Sequence, residues 1–112
     1  MQTLRARVSK DTVITSFGHI GDGNLHVMVC SEQANEPGVK EKLASLVDPL
    51  IYEYVRDQDG SVSAEHGIGT EKIEFLEYSK SPEQVRVMSM MKSTLDPNGI
   101  LNPYKVLPQK YF

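Results

Sequence analysis

Gly18-His19-Ile20-Gly21-Asp22-Gly23-Asn24-Leu25-His26 sets two imidazoles seven residues apart around a tight polar turn, and the reading of this stretch decides the fold. With Gly21 to Asn24 as a four-residue hairpin loop, Ile20 lies opposite Leu25, and His19 lies opposite His26 on the other face. Directly opposed residues on one face have Cβ atoms about 4.5–5.5 Å apart, close enough for both rings to reach one ion. The flanking sequence supports two strands, because Thr12 to Phe17 and Leu25 to Cys30 are rich in β-formers. Alternation places Ile14, Ser16, Gly18 and Ile20 on one face with Leu25, Val27 and Val29. Thr15, Phe17 and His19 share the other face with His26, Met28 and Cys30. One face suits a core and the other carries the histidines.

Beyond the hairpin, Val39, Leu43, Leu46, Val47, Leu50, Ile51, Tyr54 and Val55 recur at spacings of three and four, which predicts an amphipathic helix packing on the sheet. Asp48-Pro49 interrupts it, either restarting the helix as cap and first residue or kinking one long helix. Asp59-Gly60 ends the element, and Ser61-Val62-Ser63 reads as a short strand. A further helix is announced by Ser81-Pro82-Glu83-Gln84, with Ser81 as cap and Gln84 placed for a capping box. Its expected buried stripe is Val85, Met88, Met91 and Leu95. Asp96-Pro97-Asn98-Gly99 stops it with turn chemistry, leaving Ile100 to Phe112 as an extended tail. The expected architecture is α+β, a small antiparallel sheet with helices packed on one face.

Composition narrows the function classes. A chain of 112 residues has room for one small domain with a modest core. Its formal net charge of −3 comes with scattered Lys and Arg, so the electrostatic footprint expected of a nucleic-acid binder is missing. No apolar run approaches a membrane span. One cysteine, Cys30, rules out an internal disulfide framework and fits a reducing compartment. Arg5, Arg7 and Lys10 among Ser and Thr have the composition of a presequence, but they lead directly into a strand pattern without an apolar core or cleavage signal, and read as folded chain.

A second polar cluster follows the helix: Ala64-Glu65-His66-Gly67-Ile68-Gly69-Thr70-Glu71-Lys72. On a regular strand Glu65 and His66 would point to opposite faces, so they serve one pocket only where the backbone is irregular. Gly67 and Gly69 supply that freedom. Two histidines and a carboxylate make a usual ligand set for a catalytic zinc-type site, since three protein ligands leave a position open for substrate. The candidates are His19, His26 and Glu65. His66, adjacent to a ligand but not needed as one, is the candidate general base because imidazole titrates near working pH. The same residues allow a plainer account: a hydrogen-bonded histidine pair at a turn, a solvated Glu65, and His66 as a polar cap on the core.

Three motifs in order weigh against the plainer account. Gly18 to His26, then Ser63-Ala64-Glu65-His66-Gly67-Ile68-Gly69-Thr70-Glu71-Lys72, then Leu95-Asp96-Pro97-Asn98-Gly99-Ile100-Leu101-Asn102-Pro103-Tyr104-Lys105-Val106-Leu107-Pro108 resemble the C-terminal region of FAD-linked 2-hydroxyacid dehydrogenases of the vanillyl-alcohol-oxidase type. The resemblance covers nearly the whole chain. It implies that residues 1–112 are the C-terminal part of the substrate domain, with FAD bound mainly by a domain that these residues do not include. It implies further that His19, His26 and Glu65 hold a divalent metal, zinc ahead of the manganese, iron or cobalt that such ligands also suit, and that His66 takes the proton from the substrate hydroxyl. The α-hydrogen then leaves as hydride to the flavin, giving a 2-oxo acid.

By the same resemblance Asn102 lies near the flavin, with a tail hydrogen bond as the alternative. Asn24 orients a ligand or the substrate, or merely forms the turn. Lys72 balances negative charge near the pocket, or is an exposed lysine at a helix start. The Asn-Pro-Tyr-Lys ending favours D-2-hydroxyglutarate as substrate over D-lactate or glycolate. Electron-transferring flavoprotein is the implied acceptor and the mitochondrion the implied location. One departure stands out: the family usually places an asparagine two residues after the second metal histidine, where Met28 stands here. A thioether there cannot donate to a substrate carboxylate. The rival reading from another class is a non-catalytic metal-binding or interaction module.

Overall fold

The β-rich runs on either side of the histidine turn pair as antiparallel strands β1 (Thr12–His19) and β2 (Asn24–Ser31) in a computed structural model that describes residues 2–112. The ladder runs from Thr12 opposite Ser31 to His19 opposite Asn24. This register differs from the expected one by two residues, because the loop closes earlier, over residues 20–23. Gly23 adopts φ +71° and its N–H donates to the His19 carbonyl at 3.0 Å. The Asp22 carboxylate accepts from the Asn24 N–H at 3.0 Å, an Asx turn that launches β2. Ile20 is thereby left at the loop apex in full solvent instead of opposite Leu25. A slip of two residues, unlike a slip of one, keeps each side chain on its face. The division into an apolar face and a histidine face therefore stands.

The described chain divides into two compact units, one ending at Ile51 and the other running from Tyr52 to Phe112. In the first, helix α1 (Gln2–Arg5) is tied to the start of β1 by the Arg5 guanidinium, which donates to the carbonyls of Thr12 and Ser9. Leu4 and Thr12 are buried there. The apolar face of β2 lines a groove through Val27 and Val29, with Leu43, Val47 and Ile51 of helix α2 (Val39–Asp57) on its other wall. Pro49 lies inside α2, so the interruption is accommodated within one long helix and no second cap forms at Asp48.

In the second unit the core is Leu76, Val85 and Leu107, with Ile68, Met88 and Tyr111 packed against it. Helix α3 (Pro82–Leu95) begins with the expected capping box: Ser81 Oγ accepts from the Gln84 N–H and Gln84 Oε1 accepts from the Ser81 N–H. Its buried stripe differs from expectation. Val85, Ser89 and Asp96 are buried and Met88 is half-buried, while Met91 and Leu95 are exposed. The tail explains the rotation. Rather than extending, it folds back through Leu107 into a 3-10 turn at Gln109–Tyr111, whose Tyr111 carbonyl accepts from Ser89 Oγ at 2.6 Å. A backbone acceptor arriving on that side makes Ser89 an inward position.

Ser61-Val62-Ser63 is not a strand. Among the described residues no ladder partner reaches it: the Ser61 and Ser63 carbonyls accept from the N–H groups of Ala64 and His66 in turns, and Ser79 Oγ accepts from the Val62 N–H at 2.8 Å and donates to the Gly60 carbonyl at 3.0 Å. Lys72 Nζ donates to the Val62 carbonyl at 3.2 Å. A second 3-10 helix, Ile73–Tyr78, buries Phe75 and Leu76. Among the described residues no helix is long and apolar enough to cross a membrane.

Two carboxylates fasten the second unit, and both are held below the usual carboxyl range. Glu77 is lowered by hydrogen bonds from Lys110 and Tyr111, at 2.7 and 2.5 Å. Asp96 is lowered chiefly by Lys92, at 2.5 Å, and also accepts the Leu101 and Ile100 N–H groups. A carboxyl with a depressed folded pKa stabilises above its unfolded value, about 4, and that stability is lost as pH falls through the folded value. The thermal midpoint should therefore hold between neutral pH and about 5 and drop below about 4. A pH series of melting curves tests this, and Glu77→Gln with Asp96→Asn should flatten the acid limb.

Candidate metal centre

The first unit presents its two imidazoles on one face of the hairpin. His19 is the last residue of β1 and is exposed, while His26 sits within β2 and is half-buried. In the observed register they are diagonal rather than directly opposed, a separation that ring side chains still bridge. Their ring centroids are 5.4 Å apart and the planes meet at 63°. That angle has chemical consequences. An imidazole lone pair lies in the ring plane, so two rings bind one ion only if their planes intersect at it, which parallel stacked rings cannot do.

Asn24 is directly across the ladder from His19, on the same face. Its backbone serves the turn through Asp22, leaving the side chain out of turn formation. Asn24 Oδ1 is screened from solvent and has no hydrogen-bond partner among the described residues. A screened acceptor of this kind costs free energy until a donor arrives. Met28, opposite Thr15, continues the same face and is exposed.

The second unit brings Glu65 and His66 together. Chain neighbours reach one another there because the backbone is irregular: residues 62–66 form turns, Ala64 has φ +43°, Gly67 φ +82° and Gly69 φ +57°. His66 Nε2 lies 3.4 Å from Glu65 Oε1. The loop is anchored at its far end, where Ile68 packs on the core and the Gly69 carbonyl accepts from the Val106 N–H at 2.8 Å. Lys72 is half-buried and committed to the loop backbone through its bond to Val62, with its ammonium 5.9 Å from the Tyr52 ring centre. Lys72 does stand at a helix start, as the N-cap residue of the 3-10 helix Ile73–Tyr78, but half-buried rather than exposed.

Asn102 lies in the left-handed region at φ +47°, exposed, directly after a turn that Asp96 closes. Lys92 Nζ completes that closure by donating to the Leu101 carbonyl at 2.5 Å. Asp96, which closes this turn, was legible in the sequence only as turn chemistry, and Lys92 was given no role there. Phe17, which stacks on His26, was placed on the histidine face by strand alternation but given no role.

One unit thus offers two converging imidazoles on a hairpin, and the other an acid–imidazole pair on a glycine-rich loop. Residues 1–106 match the family model for FAD linked oxidases, C-terminal domain, and the chain belongs to that family. Its relatives include a probable mitochondrial D-2-hydroxyglutarate dehydrogenase of Oryza sativa subsp. japonica, 45% identical over 97% of this chain and 19% of the relative. The mitochondrial D-2-hydroxyglutarate dehydrogenase of Bos taurus is 47% identical over 94% of this chain and 19% of its own length. The D-2-hydroxyglutarate dehydrogenase of Stutzerimonas stutzeri is 43% identical over 86% and 21% respectively. The chain thus spans about a fifth of the length of the curated relatives it matches.

Proposed function

We propose that this chain is the metal-and-base part of an FAD-dependent dehydrogenase that oxidises a D-2-hydroxy acid, D-2-hydroxyglutarate before D-lactate or glycolate, to the 2-oxo acid. The observation that carries the reading is the pair of imidazoles with intersecting ring planes on one face of a hairpin. Glu65 supplies the third donor. In this reading each of His19, His26 and Glu65 gives one ligand atom to the ion. Two nitrogens and one oxygen suit zinc in a catalytic site with an open position, and the donor chemistry fits that metal. The relatives' names support D-2-hydroxyglutarate as substrate, and those from plants and cattle support the mitochondrion as location.

In this reading the ion, when bound, supplies the Lewis acidity that lowers the pKa of the substrate hydroxyl. His66, 3.4 Å from the Glu65 carboxylate, accepts the hydroxyl proton on its imidazole. Asn24 Oδ1 is the acceptor that fixes an incoming donor beside His19. Lys72, by holding the Val62 carbonyl, keeps the loop carrying Glu65 and His66 in its turn, and offers positive charge to an acidic substrate. Asn102 faces the flavin from the turn closed by Asp96. Hydride acceptance is the flavin's share and falls to no residue here. Gly67-Ile68-Gly69 lacks the strand-turn-helix setting of a phosphate cradle, so flavin binding belongs to the remainder of such an enzyme. Electron-transferring flavoprotein is the proposed acceptor of the electrons.

Two measurements on the purified chain test the assignment. Zinc titration followed by elemental analysis should find one ion per chain, and a metal-free result after zinc loading would refute the centre. Incubated with D-2-hydroxyglutarate, FAD and an artificial acceptor, the chain should form no 2-oxoglutarate. Turnover there would overturn the division of labour.

A further inference from the structure

The histidine face of the hairpin carries an aromatic ring that the proposed chemistry leaves unused. Phe17 stands directly across the ladder from His26, and its ring lies 4.9 Å from the imidazole centroid with only 13° between the planes. Phe17 is 57% exposed, so its ring is not held there by a core.

The consequence for His26 follows from torsional freedom. The outer torsion of a histidine side chain is broad, with little intrinsic preference to hold the ring plane. A parallel aromatic neighbour removes that freedom, because rotation of the imidazole would open a gap on one edge and a clash on the other. Phe17 occupies one flat face of the imidazole and His19 approaches at 63°. The ring plane of His26 is thus set in the orientation in which its lone pair and that of His19 can meet.

We infer that Phe17 is a positioning residue for the metal centre: it does not ligate, but it fixes the His26 ring plane in the ligating orientation before the ion arrives. This rests on the metal reading above. Groups that orient a ligand without binding the metal typically matter by about 10–100-fold in affinity, and an exposed stack belongs at the lower end of that range.

The experiment is a zinc titration, by competition with a chromophoric chelator, on the full chain and two variants. Phe17→Ile keeps an apolar β-former but removes the flat ring, and should weaken zinc binding about tenfold. Phe17→Tyr keeps the ring and should bind as the unsubstituted chain does. Equal affinity in Phe17→Ile, or an equal loss in Phe17→Tyr, overturns the assignment. If Phe17→Ile fails to fold, the NMR spectrum of the metal-free unsubstituted chain decides. Ring-current displacement of the His26 ring protons that is unchanged in Phe17→Tyr supports the stack, and undisplaced protons refute it. An unsubstituted chain that binds no zinc defeats the metal reading and this inference with it. Zinc binding that is indifferent to Phe17 defeats the inference alone.

Discussion

Zinc affinity should fall by more than about a hundredfold in each of His19→Ala, His26→Ala and Glu65→Gln, because loss of a direct ligand exceeds the 10–100-fold cost of losing a group that merely orients one. His66→Ala should keep the metal, since the proposed role of His66 is proton acceptor and not ligand. The three ligand variants differ in what else they disturb. His19 is exposed at the end of β1 and its removal leaves no cavity, whereas His26 is half-buried and stacked on Phe17. Glu65→Gln keeps the shape of the side chain and removes the charge, which isolates electrostatics from packing. Isothermal titration with zinc, read beside a melting curve for each variant, separates lost coordination from lost fold. Undiminished binding in all three would place the ion elsewhere.

Gly18→Ala should cost about 3 kcal/mol and abolish the paired hairpin, the largest stability effect expected of a single methyl group in this chain. A Cβ at Gly18 would run into the backbone carbonyl of Asn24 across the ladder, and backbone cannot turn aside as a flexible side-chain end can. Gly21→Ala in the same loop is the matched control. A Cβ there meets nothing within 4 Å, and the residue is not in the left-handed region. Hydrogen exchange of the β1 and β2 amides should accelerate in Gly18→Ala and stay unchanged in Gly21→Ala. Because the strands hold the imidazoles, Gly18→Ala should lose zinc binding as well.

Both predictions depend on the hairpin, and its legibility in the sequence was uneven. The strands and their two faces followed from alternation, which is local and has a period of two. The register did not follow. It depends on which of Ile20 to Asn24 the turn takes up, and that is decided by the Asp22 carboxylate capturing the Asn24 N–H and by Gly23 at positive φ. The difference moved His19 from opposite His26 to opposite Asn24, yet left both rings on one face because the slip was even. In the same way the capping box of α3 was legible from Ser81 and Gln84 alone, while its inward face was not. Periodicity alone offered Met91 and Leu95 to the core, and the returning tail chose Ser89 instead.

By itself, the sequence determined the residue chemistry and the local geometry that chemistry enforces: two imidazoles on one strand face, a carboxylate and an imidazole in a glycine-rich loop, a capped helix, and membership of an FAD-linked oxidase family. Tertiary structure alone decided the angle between the histidine rings, the Phe17 stack that sets one of them, the use of Lys72 and Ser79 to satisfy the 60–62 backbone, and the docking of the tail. The physical reason is range. Capping, alternation and turn formation are settled within a few residues, whereas ring planes and buried acceptors are set by groups that the chain brings together only when folded.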